Sequence, residues 1–272
     1  MSHTPQPPPL AKIEQKNIVD LIKTGKRVDG RQLEDHRELK IEVGLISKAN
    51  GSAQVILGKT KVLVGVKIET GAPFPDTPNE GVLTVNAELV PLASPDFETG
   101  PPNESSIELA RVVDRGVRES KSIDTSKLCI KAGEKVFVVF IDIYVLDHDG
   151  NLIDASAIAA LTALLNAKMN SYEVKDDGEL VLKPELVSLP IQNLPVPVTV
   201  AKIGDVLAVD PCLEEEHAMS ARLTVAFDKN GNICAMQKGG QGELSREEVG
   251  KAVSIISQKS SSIREKILEA SQ

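Results

Sequence analysis

The sequence predicts an α+β fold built from two related halves, and three observations carry that expectation. Short Val- and Ile-rich segments come first and helical patterns after, and this order occurs twice along the chain. Neighbouring strands are joined as hairpins, most clearly at Asn230-Gly231, so the strict strand–helix alternation of a parallel sheet is missing. Hydrophobic residues make up 41% and charged residues 26% of 272, an ordinary globular composition with enough chain for one large domain or two modest ones.

The elements follow in order. Residues 1–9 form a Pro-rich polar tail, expected to be mobile. Leu10, Ile13, Ile18, Leu21 and Ile22 make a helical stripe that runs to about Lys23, where Thr24-Gly25 ends it. Strands are expected at 39–46, 53–57, 61–68 and 82–89, broken by Asn50-Gly51, Gly58-Lys59 and a Pro/Gly/Asp loop over 70–81. After a second loop at 94–103, Ser105 and Glu108 have capping-box spacing and open a helix to about Ser120. Strands at 128–131 and 136–146 lead through Asp149-Gly150-Asn151 into a helix over about 154–169. Apolar residues surround most of that helix, which predicts burial. The second half repeats the style, with strands at 196–203, 206–209, 222–227 and 233–237. The glycine-rich loop 238–242 follows, and a capping box at Ser245 and Glu248 starts a helix to about Leu268.

Charge and composition exclude several classes. With 31 Lys+Arg against 39 Asp+Glu the chain is acidic, at −8, and it has no Trp, two Tyr and five Phe. It offers neither a basic field nor much base-stacking surface, so contact with a polyanion requires a local basic patch. No run reaches the ~18 apolar residues of a membrane span. The N-terminus lacks the basic and apolar regions of a signal peptide. Cys129, Cys212 and Cys234 have no metal spacing and form no even disulfide set. A soluble cytoplasmic protein without metal, cofactor or membrane contact is expected.

Three features could carry chemistry. Arg111, Arg115 and Arg118 are spaced i, i+4, i+7, which places them within about 60° of one helix face. Arginine forks suit phosphate oxygens, so the stripe could hold an RNA backbone. It could equally be a solvated face paired as Glu108–Arg111, Asp114–Arg118 and Arg115–Glu119. Asp210-Pro-Cys-Leu-Glu-Glu-Glu216 could bind a divalent metal or supply a general acid, or be an acidic first helical turn. Lys238-Gly-Gly-Gln-Gly242 precedes a helix but lacks a P-loop ending and dinucleotide spacing, and reads as a connection. His3, His36, His148 and His217 are scattered and expected at the surface.

Together these segments resemble the ribonuclease PH family of phosphate-dependent 3′→5′ exoribonucleases over nearly the whole chain. Arg27-Val-Asp-Gly-Arg31 is similar to that family's opening signature. Ile107-Glu-Leu-Ala-Arg-Val-Val-Asp-Arg115 is similar to the arginine helix of the archaeal exosome ring. The Pro-rich N-terminus and the loops Thr77-Pro-Asn-Glu-Gly81 and Gly100-Pro-Pro-Asn-Glu104 resemble the ring's non-catalytic branch. The resemblance implies a ribonuclease PH-like fold, with residues 10–272 as a single domain and pseudo-halves at about 30–170 and 190–272.

Departures from the pattern separate active from silent members. Active members have a Gly-Ser/Thr-Arg turn that binds phosphate. Here the equivalent reads Asp149-Gly-Asn-Leu-Ile-Asp154, so donors are lost and Asp154 is expected to repel an anion. The family's paired aspartates fall at Asp210 and Glu216, the second longer by a methylene. The arginine helix is intact. The resemblance thus implies a non-catalytic exosome subunit in which Arg111, Arg115 and, less centrally, Arg118 hold single-stranded RNA. Its partners would be a catalytic ribonuclease PH-like subunit, as a trimer of heterodimers, and RNA-binding cap subunits. Two alternatives stay open: an autonomous phosphate-dependent 3′→5′ exoribonuclease, and an interaction module whose arginines are only ion-paired.

Overall fold

The structure, a computed structural model, describes residues 9–174 and 180–272. The tail expected at 1–9 therefore lies outside the described residues, except that Pro9 begins the first helix. In chain order the elements are α1 (Pro9–Lys23), β1 (Leu39–Val43), β2 (Gly51–Leu57), β3 (Thr60–Gly71), β4 (Val82–Leu89), α2 (Glu104–Glu119), β5 (Cys129–Lys131) and β6 (Lys135–Asp147). They continue with α3 (Leu152–Leu165), β7 (Lys168–Val174), β8 (Leu180–Ser188), β9 (Val196–Ile203), β10 (Val206–Val209), α4 (Leu213–Ala218), β11 (Ala221–Phe227), β12 (Ile233–Gly239) and α5 (Arg246–Ala270).

The first-half sheet has the order β1-β2-β3-β6-β4, with β5 added on β6, and only the β4–β6 pair is parallel. Period-two patterning explains its single covered face: Val139, Ile141, Ile143 and Val145 of β6 are buried, while Asp142 and Tyr144 between them are not. The second-half sheet is an antiparallel β10-β9-β11-β12 array. Helix α3 packs against β2 and β3 of the first sheet and β9 of the second. Its Ile158, Ala159, Ala160, Leu161, Ala163 and Leu164 are fully buried, as an all-round apolar helix requires. Small side chains let it approach closely: a Cβ on Gly51 of β2 would lie 2.4 Å from the Ala163 carbonyl oxygen. One apolar core joins residues from Ala53 to Ile267, and a smaller cluster of Ile22, Ala201 and Ile203 holds α1 to the second sheet.

The spans of β4, β9 and β10 and the Ser245 capping box match the sequence pattern. The strand expected at 39–46 ends at Val43, where Gly44 turns to a φ of 74°, and β3 runs on to Gly71, into the loop expected at 70–81. Two helix ends also need correction. The cap of α2 is Asn103, whose side chain accepts from the Ser106 amide at 2.9 Å; Ser105 lies inside the helix. Asparagine is as good an N-cap as serine, and it stands nearer the end of the loop. Helix α3 stops at Leu165 and not at Met169, because Asn166 caps it. The chain then pairs with the β1–β2 turn through Lys168 N–H to the Asn50 carbonyl at 2.9 Å and enters the β7–β8 hairpin, which the pattern did not reveal.

Candidate functional site

The three arginines of α2 share a face but meet different surroundings. The helix buries Ser106, Leu109, Val113 and Val117 against the core, leaving the arginine face outward. Arg118 is neutralised: its Nη2 lies 2.6 Å from Asp114 Oδ1 and also donates to the Leu83 carbonyl at 3.0 Å. Arg115 is partly buried and donates through Nη1 to Gln237 Oε1 on β12 at 2.9 Å, a neutral partner that leaves its charge uncompensated. Arg111 is exposed and has no carboxylate within ion-pair distance among the described residues. Of the three pairs allowed by spacing, only Asp114–Arg118 forms among the described residues.

A second group of arginines is turned inward. Asp210, fully buried, accepts through Oδ2 from the Arg37 amide (2.8 Å), Arg37 Nε (3.0 Å) and Arg31 Nη1 (3.1 Å). Its Oδ1 accepts from Arg37 Nη2 (2.8 Å) and Asn151 Nδ2 (2.7 Å). Burial alone would push this carboxyl up, but the Arg37 hydrogen bonds and charge hold it well below the usual carboxylate range. Arg27 caps the same loop: it donates to Glu215 with Nε (2.9 Å) and Nη2, and to the Val209 and Asp210 carbonyls at 2.7 and 2.9 Å. Asn151 and Asp210 both take left-handed backbone, with φ of 52° and 51°, which these two residue types tolerate best. Five donors thus converge on one carboxylate that has no exposed surface.

Beside this cluster lies a cleft lined by Phe97, Ser105, Glu108, His148, Asn151, Leu152, Ile153, Glu216 and Arg222. Its acid is Glu216, whose Oε1 accepts from the Asn151 amide at 2.9 Å. Burial pushes this carboxyl up, against that hydrogen bond and the charges of Arg222 and Arg37. The cleft is a poor anion site. The Asn151 N–H is already taken, the Leu152 and Ile153 side chains donate nothing, and Arg222 is paired with Glu108 at 2.9 Å. Asp154 corrects the expectation made for it: it does not face the cleft. It is fully buried, accepting from Asn151 Nδ2, the Thr199 amide and Thr199 Oγ1, each at 2.8 Å. Burial raises its pKa to about 7 despite those hydrogen bonds.

The histidines also differ from the expectation of scattered surface residues. His36 packs against Asp210 at 3.7 Å and His148 stacks on Phe97 at 5.2 Å; His217 is exposed, and His3 lies outside the described residues. The acidic stretch 210–216 forms no metal cluster among the described residues. Its carboxylates serve Arg27, Arg37 and Asn151 individually. The loop 238–242 is a connection packed on Ser220 and Ala221. The sequence reading missed Arg37, Glu215 and Asn151. For Arg27 and Arg31 a signal was present in the opening signature, whereas nothing distinguishes Glu215 from its neighbours Glu214 and Glu216 until the fold buries it.

The two sheets about α3, the arginine helix and the Asp210–Glu216 pair beside a cleft are the features of one class of protein: the chain belongs to the 3′ exoribonuclease family. It matches domain 1 of that family over residues 35–170 and domain 2 over 193–255. Within the family it is similar to proteins named exosome complex component Rrp42. That of Pyrococcus horikoshii is 55% identical over 262 residues, 96% of each chain. That of Methanopyrus kandleri is 50% identical over 255 residues, covering 94% of this chain and 96% of the relative. Among solved structures, a chain of the Archaeoglobus fulgidus exosome with RNA bound to the active site superposes with a TM-score of 0.87 at 47% identity. That match covers 94% of this chain and 98% of the other.

Proposed function

We propose that this chain is a non-catalytic, RNA-holding subunit of an archaeal exosome. It pairs with a catalytic ribonuclease PH-like subunit, three such pairs close a six-membered ring, and RNA-binding caps sit on one face. Residues 10–272 act as a single domain with pseudo-halves at about 30–170 and 190–272, a reading supported by the one apolar core that runs through both. The ring works in the cytoplasm. The observation that carries the non-catalytic reading is the state of Asp210: five donors and complete burial leave it unable to protonate a leaving group. Phosphorolysis also needs inorganic phosphate as the nucleophile, and the cleft sets the carboxylates of Glu216 and Glu108 among its few donor side chains.

Arg111 and Arg115 supply the RNA contact, since among the described residues neither charge is cancelled by a carboxylate, and Arg118, paired with Asp114, contributes less. Backbone holding without base reading fits the scarcity of aromatic residues. The rival, an autonomous exoribonuclease, would use Asp210 and Glu216 with a different phosphate site, and Glu216, which lines the cleft, is the one of the two that a substrate could meet. Phosphorolysis of labelled single-stranded RNA, by this chain alone and mixed with the catalytic partner, decides between them. A silent lone chain and an active mixture are expected; phosphate-dependent release of nucleoside diphosphates by the lone chain would overturn the proposal.

A further inference from the structure

Glu108 stands three residues before Arg111, and on spacing alone is its intrahelical partner. It turns away instead: Glu108 Oε2 lies 2.9 Å from Nη2 of Arg222 on β11. Arg222 is held in that direction by its own surroundings. It faces Gly239 across the β11–β12 ladder, and a Cβ on Gly239 would lie 2.6 Å from Arg222 Nε and 3.0 Å from its Cγ. The bare glycine is therefore the floor over which the Arg222 side chain runs to reach the cleft and Glu108. A pair across two elements has replaced the local pair on α2.

We propose that Arg222 is a positioning residue for RNA: by occupying Glu108, it leaves the Arg111 guanidinium open to a phosphate oxygen. The inference rests on the reading that Arg111 holds RNA. It also explains why an exposed arginine with an acidic neighbour at helical spacing stays unpaired. Arg222 acts through Glu108 and makes no RNA contact itself.

The test uses the assembled ring with its catalytic partner, reading Kd and KM for a labelled single-stranded RNA at fixed salt. Arg111→Gln should weaken binding about tenfold, the loss of one charge-assisted contact. Arg222→Gln should weaken it about two- to threefold, in KM rather than kcat, because Glu108 then closes on Arg111. Adding Arg222→Gln to Arg111→Gln should cost nothing more, and Glu108→Gln added to Arg222→Gln should restore binding. Gly239→Ala, which displaces the Arg222 side chain and keeps its charge, should reproduce the partial loss and serves if Arg222→Gln fails to assemble. Losses at Arg111 and Arg222 that add would overturn the positioning role alone, as would a failure of Glu108→Gln to restore binding. An Arg111→Gln ring that binds normally would overturn the RNA-contact reading together with it.

Discussion

Arg27, Arg31 and Arg37 lie in one region of the molecule and Arg111, Arg115 and Arg118 in another, and the two sets differ in what their guanidiniums face. The first set is surrounded by carboxylates and carbonyl oxygens of the 209–215 loop, with Arg27 and Arg37 buried. In the second set, among the described residues, only Arg118 has a carboxylate, and Arg111 is exposed. A buried guanidinium needs acceptors from its own chain, because desolvation must be offset inside the protein. An exposed one keeps its hydration until a ligand displaces it. The comparison teaches that one residue type can seal a site in one place and open one in another, with burial and nearby carboxylates deciding which.

The comparison can be broken most forcefully from the buried side. Arg37→Met leaves the Asp210 carboxylate without its main partner and should destabilise the chain by about 3–5 kcal/mol. Denaturant unfolding would show it, and an unchanged midpoint would mean that Asp210 is not held as described. On the open side, Arg111→Glu with Arg115→Glu should lower the RNA affinity of the assembled ring by about 2 kcal/mol or more. It should also flatten the salt dependence while leaving unfolding within about 0.5 kcal/mol of the parent. RNA affinity that stays the same would reduce the α2 face to a solvated surface.

Asp154 sharpens the contrast through pH. Its pKa of about 7 lies above the ordinary carboxyl value near 4. The native state thus binds more protons than the unfolded chain between about pH 4 and 7, and stability falls as pH rises through that window, levelling off above it. Asp154→Asn should remove this slope, at most about 1.4 kcal/mol per pH unit, in unfolding followed from pH 5 to 8. The amide can keep the local hydrogen bonds, because Thr199 Oγ1 can pass its proton on to Thr224 Oγ1, 2.7 Å away. Asp210 works in the opposite sense, contributing stability that is lost only on acidification below about 4. The smallest effect expected is at the start of the arginine helix. Asn103→Ala should cost about 1 kcal/mol, whereas Ser105→Ala should change stability by less than 0.5 kcal/mol. The reverse order would restore Ser105 as the cap.

Much of the fold was legible because its strands and helices announce themselves locally. β4, β9 and β10 are short Val- and Ile-rich runs bounded by turns or loops, and Ser245 with Glu248 encodes its own helix start. The Arg111–Arg118 stripe was visible for the same reason, since helical spacing alone puts the residues on one face. The sealed site was not. Its partners come from four separate stretches, and Asp154, Asp210, Glu215 and Glu216 read alike until the fold buries three of them and leaves Glu216 at the cleft. Periodicity reports which face a residue takes on its own element, not which distant segment covers it. The end of α3 failed for a related reason: Ala167 and Met169 are as apolar as the helix before them, and the stop comes from Asn166 and from pairing with Asn50.

The inward arginines also bear on how the chain is made. Arg27 reaches Glu215 across 188 residues and Arg37 reaches Asp210 across 173. Closing loops of that length is slow to reward the chain, because no local contact holds the ends together beforehand. On a ribosome the opening signature emerges early and must wait, its cations solvated, until the 209–215 loop has followed it out. Synthesis from the first half therefore yields a chain whose N-terminal stretch is unanchored, and the last third of the polypeptide fastens the first.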